Sequence, residues 1–145
     1  MIKPLLFAFV VLFCFSNAFA QQNEWELFQE IDGVKFYKKE ASCEFNNAPN
    51  QKWYLIKVEN TNSYAVKAEW DKHIWYNDEC ANCDSNDGDT PEDHQIVELE
   101  AGESVRGECE IPAINALSVF IEFTAYQSNI KLTKFQLDNM LVVKK

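Results

Sequence analysis

The sequence predicts an all-β domain, built as a two-sheet antiparallel β-sandwich of seven or eight strands. Short runs in which apolar and polar residues alternate predict strands with one buried face. Turn-forming residues separate these runs at nearly regular intervals. No stretch keeps the i, i+3, i+4, i+7 apolar spacing of a helix over a dozen residues. A small β-barrel is the alternative architecture.

The first twenty residues are typical of a secretory signal peptide. Lys3 precedes an apolar run over residues 5–15, and Ala18 and Ala20 occupy the two positions that a signal peptidase inspects. The run is too short for a membrane span, which needs about 20 apolar residues. We therefore expect cleavage after Ala20, a single mature domain over residues 21–145, and a secreted or periplasmic location.

The mature chain begins with a predicted hairpin. Residues 24–31 and 34–39 are separated by Asp32-Gly33, a dipeptide that tolerates the positive φ angles of a tight primed turn. The apolar phase of the first strand comprises Trp25, Leu27 and Ile31.

The next two predicted strands are long. Residues 52–60 form one of them, and residues 66–76 form the other. Lys72 occupies a position at which the alternation requires an apolar residue. We expect a β-bulge or a sheet edge there, since inward charges on edge strands discourage pairing with other chains.

The second half of the chain continues the pattern. Residues 97–100 and 105–109 flank a turn at Ala101-Gly102, which predicts a second hairpin, and residues 117–123 predict a further strand. The last strand has its apolar residues in one phase, namely Phe135, Leu137, Leu141 and Val143.

Four cysteines remain after cleavage, and an even count in an exported chain indicates two disulfides. Three pairings are possible. We favour a local bridge between Cys80 and Cys83, because cysteines three residues apart can meet in a turn. Cys43 and Cys109 then form the long bridge.

The spacing of Cys43, Trp53 and Cys109 resembles that of immunoglobulin domains, in which a tryptophan covers a disulfide between the sheets. The resemblance implies an immunoglobulin-like arrangement of the sandwich. It departs from the family at position 107, where glycine stands in place of the corner tyrosine, and it implies no function.

Acidic residues outnumber basic ones by 23 to 13, which gives a net charge of −10. Loss of Lys3 with the signal peptide would make the charge −11. Such a chain is repelled by phosphate backbones and by anionic lipid, which argues against nucleic acid as a partner. With 47% hydrophobic residues, the chain can still bury a core.

The segment DECANCDSNDGDTPEDH, residues 78–94, carries the most concentrated chemistry. Its flanking acids would hold the Cys80 and Cys83 thiols protonated, so a structural bridge is favoured over a redox motif. A tetrahedral zinc site would combine His73, Cys80, Cys83 and His94. Export argues against this site, because oxidised cysteines do not ligate zinc as thiolates.

A calcium loop is a second metal hypothesis for the same segment. The candidate oxygen ligands are Asp84, Asn86, Asp87 and Asp89. The spacing does not fit a helix-loop-helix calcium motif, because Gly88 and Gln95 fall where ligands belong. A solvated acidic loop without bound calcium is the favoured interpretation.

The sequence has neither a Gly-x-Ser-x-Gly motif nor a glycine-rich phosphate loop, and we predict that the protein is not an enzyme. Trp75 and Tyr76, beside the acidic loop, are candidate anchors for a partner. We therefore predict a binding or accessory module of the cell envelope or extracellular space. Its protein partner would be recognised by the loop end around residues 77–94. A metal-binding module and a secreted enzyme are the alternatives.

Overall fold

A computed structural model describes residues 24–83, 94–109 and 115–145. The described residues form nine strands and one 3₁₀ turn. The elements are β1 Glu26–Ile31, β2 Val34–Cys43, β3 Gln51–Asn60, β4 Val66–Tyr76, β5 Glu79–Cys80, β6 His94–Leu99, β7 Ser104–Arg106, the 3₁₀ turn Asn115–Leu117, β8 Ser118–Phe123 and β9 Leu132–Lys144. Within these ranges there is no helix with the length and apolar character of a membrane span. The predicted signal peptide lies outside the described residues.

The strands form two antiparallel sheets that do not close into a barrel, which confirms the predicted sandwich. In the first sheet β2 lies between β1 and β3, and the other edge of β3 is shared by β7 and β8. In the second sheet β4 pairs with β9 along its length. The opposite edge of β4 pairs with β6 over residues 66–71 and with β5 over residues 75–76, which leaves residues 72–74 between them.

The main core lies between the two sheets. It includes Val34, Phe36, Ile56, Val58, Val66, Ala68, Trp70, Leu99, Leu117, Val119 and Leu137. The predicted Asp32-Gly33 turn joins β1 to β2, with φ angles of 47° and 76°. Asn62 Nδ2 donates a hydrogen bond of 2.8 Å to the Asp32 carbonyl oxygen. The turn is thereby tied to the β3–β4 connection.

Two of the β-bulges expose apolar residues that the alternation predicts to be buried. In β9 the register shifts around Asn139, which has a φ of 49°. The predicted single apolar phase of this strand is therefore wrong beyond Asp138, because Leu141 and Val143 are 51% and 44% exposed. A shift at Phe28 in β1 likewise leaves Leu27 47% exposed. Bulges re-aim side chains in this way because they insert one unpaired residue into a strand.

The Cys43–Cys109 bridge belongs to the first sheet alone. Cys43 packs with Trp53 and Leu55 in a second cluster, which the alternation of β2 and β3 places on the side away from the main core. The resemblance to immunoglobulin domains thus correctly brings Trp53 to the disulfide, but the bridge does not join the two sheets. Gly107 is required nearby, since a Cβ atom there would overlap with the Leu117 carbonyl oxygen.

Candidate functional site

Both histidines of the chain lie on the side of the second sheet that faces away from the core. His73 directly follows the buried Lys72 in β4, and His94 directly precedes the buried Gln95 in β6. Because successive side chains of a strand point to opposite sides, both histidines point away from the core. We call this side the outer face. It comprises Lys67, Glu69, Asp71, His73, Trp75, His94, Ile96, Glu98, Lys134, Gln136, Asp138, Asn139, Leu141 and Val143.

His94 is held between two carboxylates of β4. Its Nδ1 lies 2.8 Å from Asp71 Oδ1, and its Nε2 lies 3.4 Å from Glu69 Oε2. The hydrogen bond with Asp71 raises the pKa of His94, and the negative charge of Glu69 adds to the effect. Glu69 also forms an ion pair with Lys67. The protonated ring therefore joins the start of β6 to β4.

A second set of hydrogen bonds joins β4 to β9 across the bulge. His73 Nδ1 lies 2.8 Å from Asp138 Oδ2, and Gln136 Nε2 donates to Asp138 Oδ1 over 2.6 Å. Asn139 Nδ2 donates to Asp71 Oδ2 over 2.7 Å. Burial acts to raise the pKa values of Asp71 and Asp138, but these hydrogen bonds outweigh it and the pKa values lie below their ordinary range. The network joins three strands.

The described contacts of the two imidazoles constrain the chemistry they can perform. Among the described residues, the hydrogen-bond partners of both rings are carboxylates. Within the described ranges, neither ring has a hydrogen bond to a serine, threonine or cysteine side chain that it could activate as a general base. The arrangement fixes the orientation of both rings, and its carboxylates favour the protonated form of His94 by raising its pKa.

The zinc candidates are not assembled as a ligand set. Cys80 and Cys83 are disulfide-bonded, with their Cα atoms 5.6 Å apart, and His73 and His94 bind carboxylates. The described part of the chain contains no group of three or more His, Cys, Asp or Glu side chains arranged to hold a metal ion. The calcium candidates Asp84, Asn86, Asp87 and Asp89 lie outside the described residues.

The Cys80–Cys83 loop closes the edge of β4 that β5 and β6 leave unpaired. Ala81 N donates to the Ile74 carbonyl oxygen over 2.8 Å. The Asn82 side chain accepts a hydrogen bond from Ile74 N at 2.9 Å and donates one to the Lys72 carbonyl oxygen at 2.7 Å. Lys72 itself points inward, where its ammonium donates to the Ser118 carbonyl oxygen over 3.0 Å. The predicted bulge does not lie at Lys72, which pairs regularly with Leu137 of β9. On the other edge of β4, residues 72–74 have no partner among the described strands, which agrees with the alternative prediction of a sheet edge, and the inward charge links the two sheets.

Trp75 and Tyr76, the candidate anchors, point to opposite sides of the second sheet. Trp75 lies on the outer face, with Lys134 Nζ 4.3 Å from its ring centroid. Tyr76 points toward the first sheet, and its hydroxyl donates to the Phe120 carbonyl oxygen over 3.1 Å. Only Trp75 is therefore available to a partner that contacts the outer face.

The outer face carries three exposed aliphatic side chains that were not predicted from the sequence to share a surface. Ile96 is 51% exposed, as is Leu141, and Val143 is 44% exposed. Ile96 and Leu141 flank Glu69 on its two neighbouring strands. The Asp138-Asn139 dipeptide could have predicted the bulge that exposes Leu141 and Val143, since two turn-favouring residues within a long apolar strand indicate a bulge.

A surface groove of about 450 Å³ lies where β1 begins beside β2. It is lined by Glu24, Trp25, Glu26, Lys38, Lys39, Glu40 and Tyr54. Lysine ammoniums lie over both aromatic rings, with Lys39 5.9 Å from the Trp25 centroid and Lys38 5.7 Å from that of Tyr54. The groove therefore offers charged groups and few bare aromatic surfaces.

Replacing His94 with glutamine is expected to remove a pH-dependent part of the stability. The pKa of His94 is raised above its ordinary value of about 6.5, so its ion pairs stabilise the fold fully below about pH 6.5. That contribution, roughly 1 kcal/mol or less for a pair near the surface, is lost as pH rises through the raised pKa. Urea unfolding should therefore separate wild type from His94→Gln more at about pH 6 than at about pH 9. An equal separation at both pH values would contradict the assignment.

Comparisons with protein-family models, curated proteins and solved structures found no match. The predicted recognition surface, the loop end around residues 77–94, lies largely outside the described residues, because only residues 77–83 and His94 of it are described. The outer face is the strongest candidate, because it combines exposed apolar side chains with an ordered polar network.

Proposed function

We propose that the protein is an exported, non-catalytic binding module that docks a protein partner on the outer face. The observation that carries the proposal is the β9 bulge, which turns Leu141 and Val143 outward. Ile96 lies on the same face, on the other side of Glu69 of β4. Burying the exposed half of each side chain would contribute roughly 1 kcal/mol per residue to association. A face that mixes exposed apolar side chains with charged ones has the usual composition of a protein interface.

The two sheets differ in how their outward sides are covered. On the first sheet, Trp53 and Leu55 are buried beside Cys43 in a cluster that also contacts Trp25 and Phe120. On the second sheet, the aliphatic side chains of the outer face remain about half exposed. The second sheet therefore offers a partner exposed apolar surface. On the first sheet, the corresponding apolar surface is already buried by other residues of the chain.

The charges around the apolar residues favour a protein over a polyanion. Lys67 pairs with Glu69 in the middle strand of the face, and Lys145 Nζ lies 2.6 Å from Glu98 Oε2, so charges of both signs lie next to the apolar side chains. The whole chain is acidic, which opposes nucleic acid. Two cysteine pairs at disulfide distance support an oxidising compartment, as the predicted signal peptide does.

The test compares cross-linked partners of the wild type with those of Leu141→Asp in the native envelope. Ile130→Asp is the matched control, because Ile130 is 49% exposed and precedes β9 outside the outer face. We expect the same partner with wild type and control, and its loss with Leu141→Asp. The purified partner should bind Leu141→Asp about tenfold or more weakly, the effect of about 1.4 kcal/mol. Equal capture by all three proteins would refute docking on this face.

A further inference from the structure

We propose that the Cys80–Cys83 disulfide is a thiol–disulfide exchange site, reduced by an external dithiol while Cys43–Cys109 stays oxidised. Its reduction frees the edge of β4 next to His73. The protein is the substrate of this exchange, and the inference does not depend on the docking function. It rests on the surroundings of the four sulfur atoms and on the hydrogen bonds of the loop.

The two bridges differ in the surroundings of the sulfur that must leave. A thiolate attacks one sulfur and expels the other, and expulsion is slower when the leaving thiol has a high pKa. Cys83 is exposed and Cys80 is only partly buried, so attack on Cys83 releases a thiolate within reach of water. The neighbouring acids Asp78 and Glu79 slow its departure, but both are exposed and solvent screens their charges. Such an exposed bridge belongs to the labile class of disulfides.

The long bridge lacks an equivalent route. Cys109 is exposed, but Cys43 is 1% exposed and packs against Trp53 and Leu55. Attack on Cys109 would expel the Cys43 thiolate into apolar surroundings, which raise the pKa of a thiol. Attack on Cys43 is blocked by the same neighbours. The native fold therefore protects this bridge at both sulfur atoms.

The exchange balances in two steps. One thiolate of the dithiol attacks Cys83 Sγ, the Cys80–Cys83 bond breaks, and Cys80 leaves as a thiolate that takes up a proton. The second thiol of the reductant, deprotonated, then attacks the mixed disulfide and releases Cys83, which is protonated in turn. Two electrons pass to the protein, and the dithiol becomes a disulfide.

The consequence for the fold follows from the hydrogen bonds of Asn82. The bridge holds Asn82 between its two cysteines, where its side chain binds Ile74 N and the Lys72 carbonyl oxygen. These are the main-chain groups of β4 on either side of His73. Reduction relaxes the loop, so the Ile74 amide loses its acceptor for part of the time and exchanges with solvent.

The test treats the mature protein with dithiothreitol under native conditions, alkylates it, and maps the labelled cysteines by mass spectrometry. Cys80 and Cys83 should be labelled about tenfold or more faster than Cys43 and Cys109. Hydrogen exchange at the Ile74 amide should also accelerate about tenfold or more on reduction.

Two variants isolate the role of the loop in this response. The double variant Cys80→Ser with Cys83→Ser should exchange like the reduced protein without any reductant. Asn82→Ala, with its disulfide intact, should also expose the Ile74 amide. Equal labelling rates for the two bridges would overturn the exchange site. Unchanged Ile74 protection in the reduced protein and in both variants would overturn the coupling to β4.

Discussion

Replacing Cys43 and Cys109 together with alanine is expected to lower the free energy of unfolding by about 4 kcal/mol. The bridge closes a loop with a sequence separation of 66, and in the chain-entropy account the stabilisation grows with the length of that loop. This loop contains β3, β4 and β6, so the bridge restricts the unfolded chain across both sheets. The loss would be a large share of the 5–15 kcal/mol that stabilise an ordinary domain.

Urea unfolding followed by circular dichroism measures this loss as a shift of the midpoint. The control is the double variant Cys80→Ala with Cys83→Ala, whose bridge has a sequence separation of only 3. In the same account its removal costs about 2 kcal/mol. If the two double variants lost equal stability, loop closure would not be the source of the stabilisation.

Local signals in the sequence predicted the first hairpin and one disulfide, but the hairpin predicted around Ala101-Gly102 is wrong, because β6 pairs with β4 and β7 pairs with β3 in the other sheet. Asp32-Gly33 marks a tight hairpin whatever the rest of the chain does, since the turn requires positive φ at both positions. The pairing of Cys80 with Cys83 depends only on their separation. Alternation along β4 is also local, because residues 66–72 bury one side chain in two, whereas β3 buries side chains on both of its faces.

The bulges could not be predicted from alternation alone. Asn139 adds one residue to β9 and reverses the side on which every later residue lies. Leu141 and Val143 are as apolar as Met140 and Val142, so the composition does not indicate which pair packs inward. The choice depends on pairing with β4, which is a property of the whole sheet.

The polar network of the outer face was equally inaccessible from the sequence. His73 and Asp138 are 65 residues apart, and they meet because β4 and β9 pair antiparallel. The sequence identified His73 and His94 as reactive groups but associated them with the nearby cysteines. The structure instead places carboxylates of the same sheet beside each ring, and those partners depend on strand order and register.

Replacing Trp70 with alanine is expected to lower the free energy of unfolding by about 3–5 kcal/mol. Trp70 is fully buried, and its ring packs edge to face on Phe36 with centroids 5.2 Å apart. This contact joins β4 of the second sheet to β2 of the first, so truncation leaves a cavity between the sheets. Urea unfolding monitored by circular dichroism provides the measurement.

Trp70→Phe separates the volume of the side chain from its polar group. Among the described residues, Trp70 Nε1 has no hydrogen-bond partner, and an unpaired buried donor costs about 1–3 kcal/mol. Removing it should offset part of the lost packing, so we expect Trp70→Phe to cost less than about 2 kcal/mol. Trp53→Phe is the matched control, because Trp53 Nε1 donates to Gln51 Oε1 over 2.8 Å and that hydrogen bond would be lost. If Trp70→Phe were the more damaging of the two, the unpaired indole N–H would not be a liability of this core.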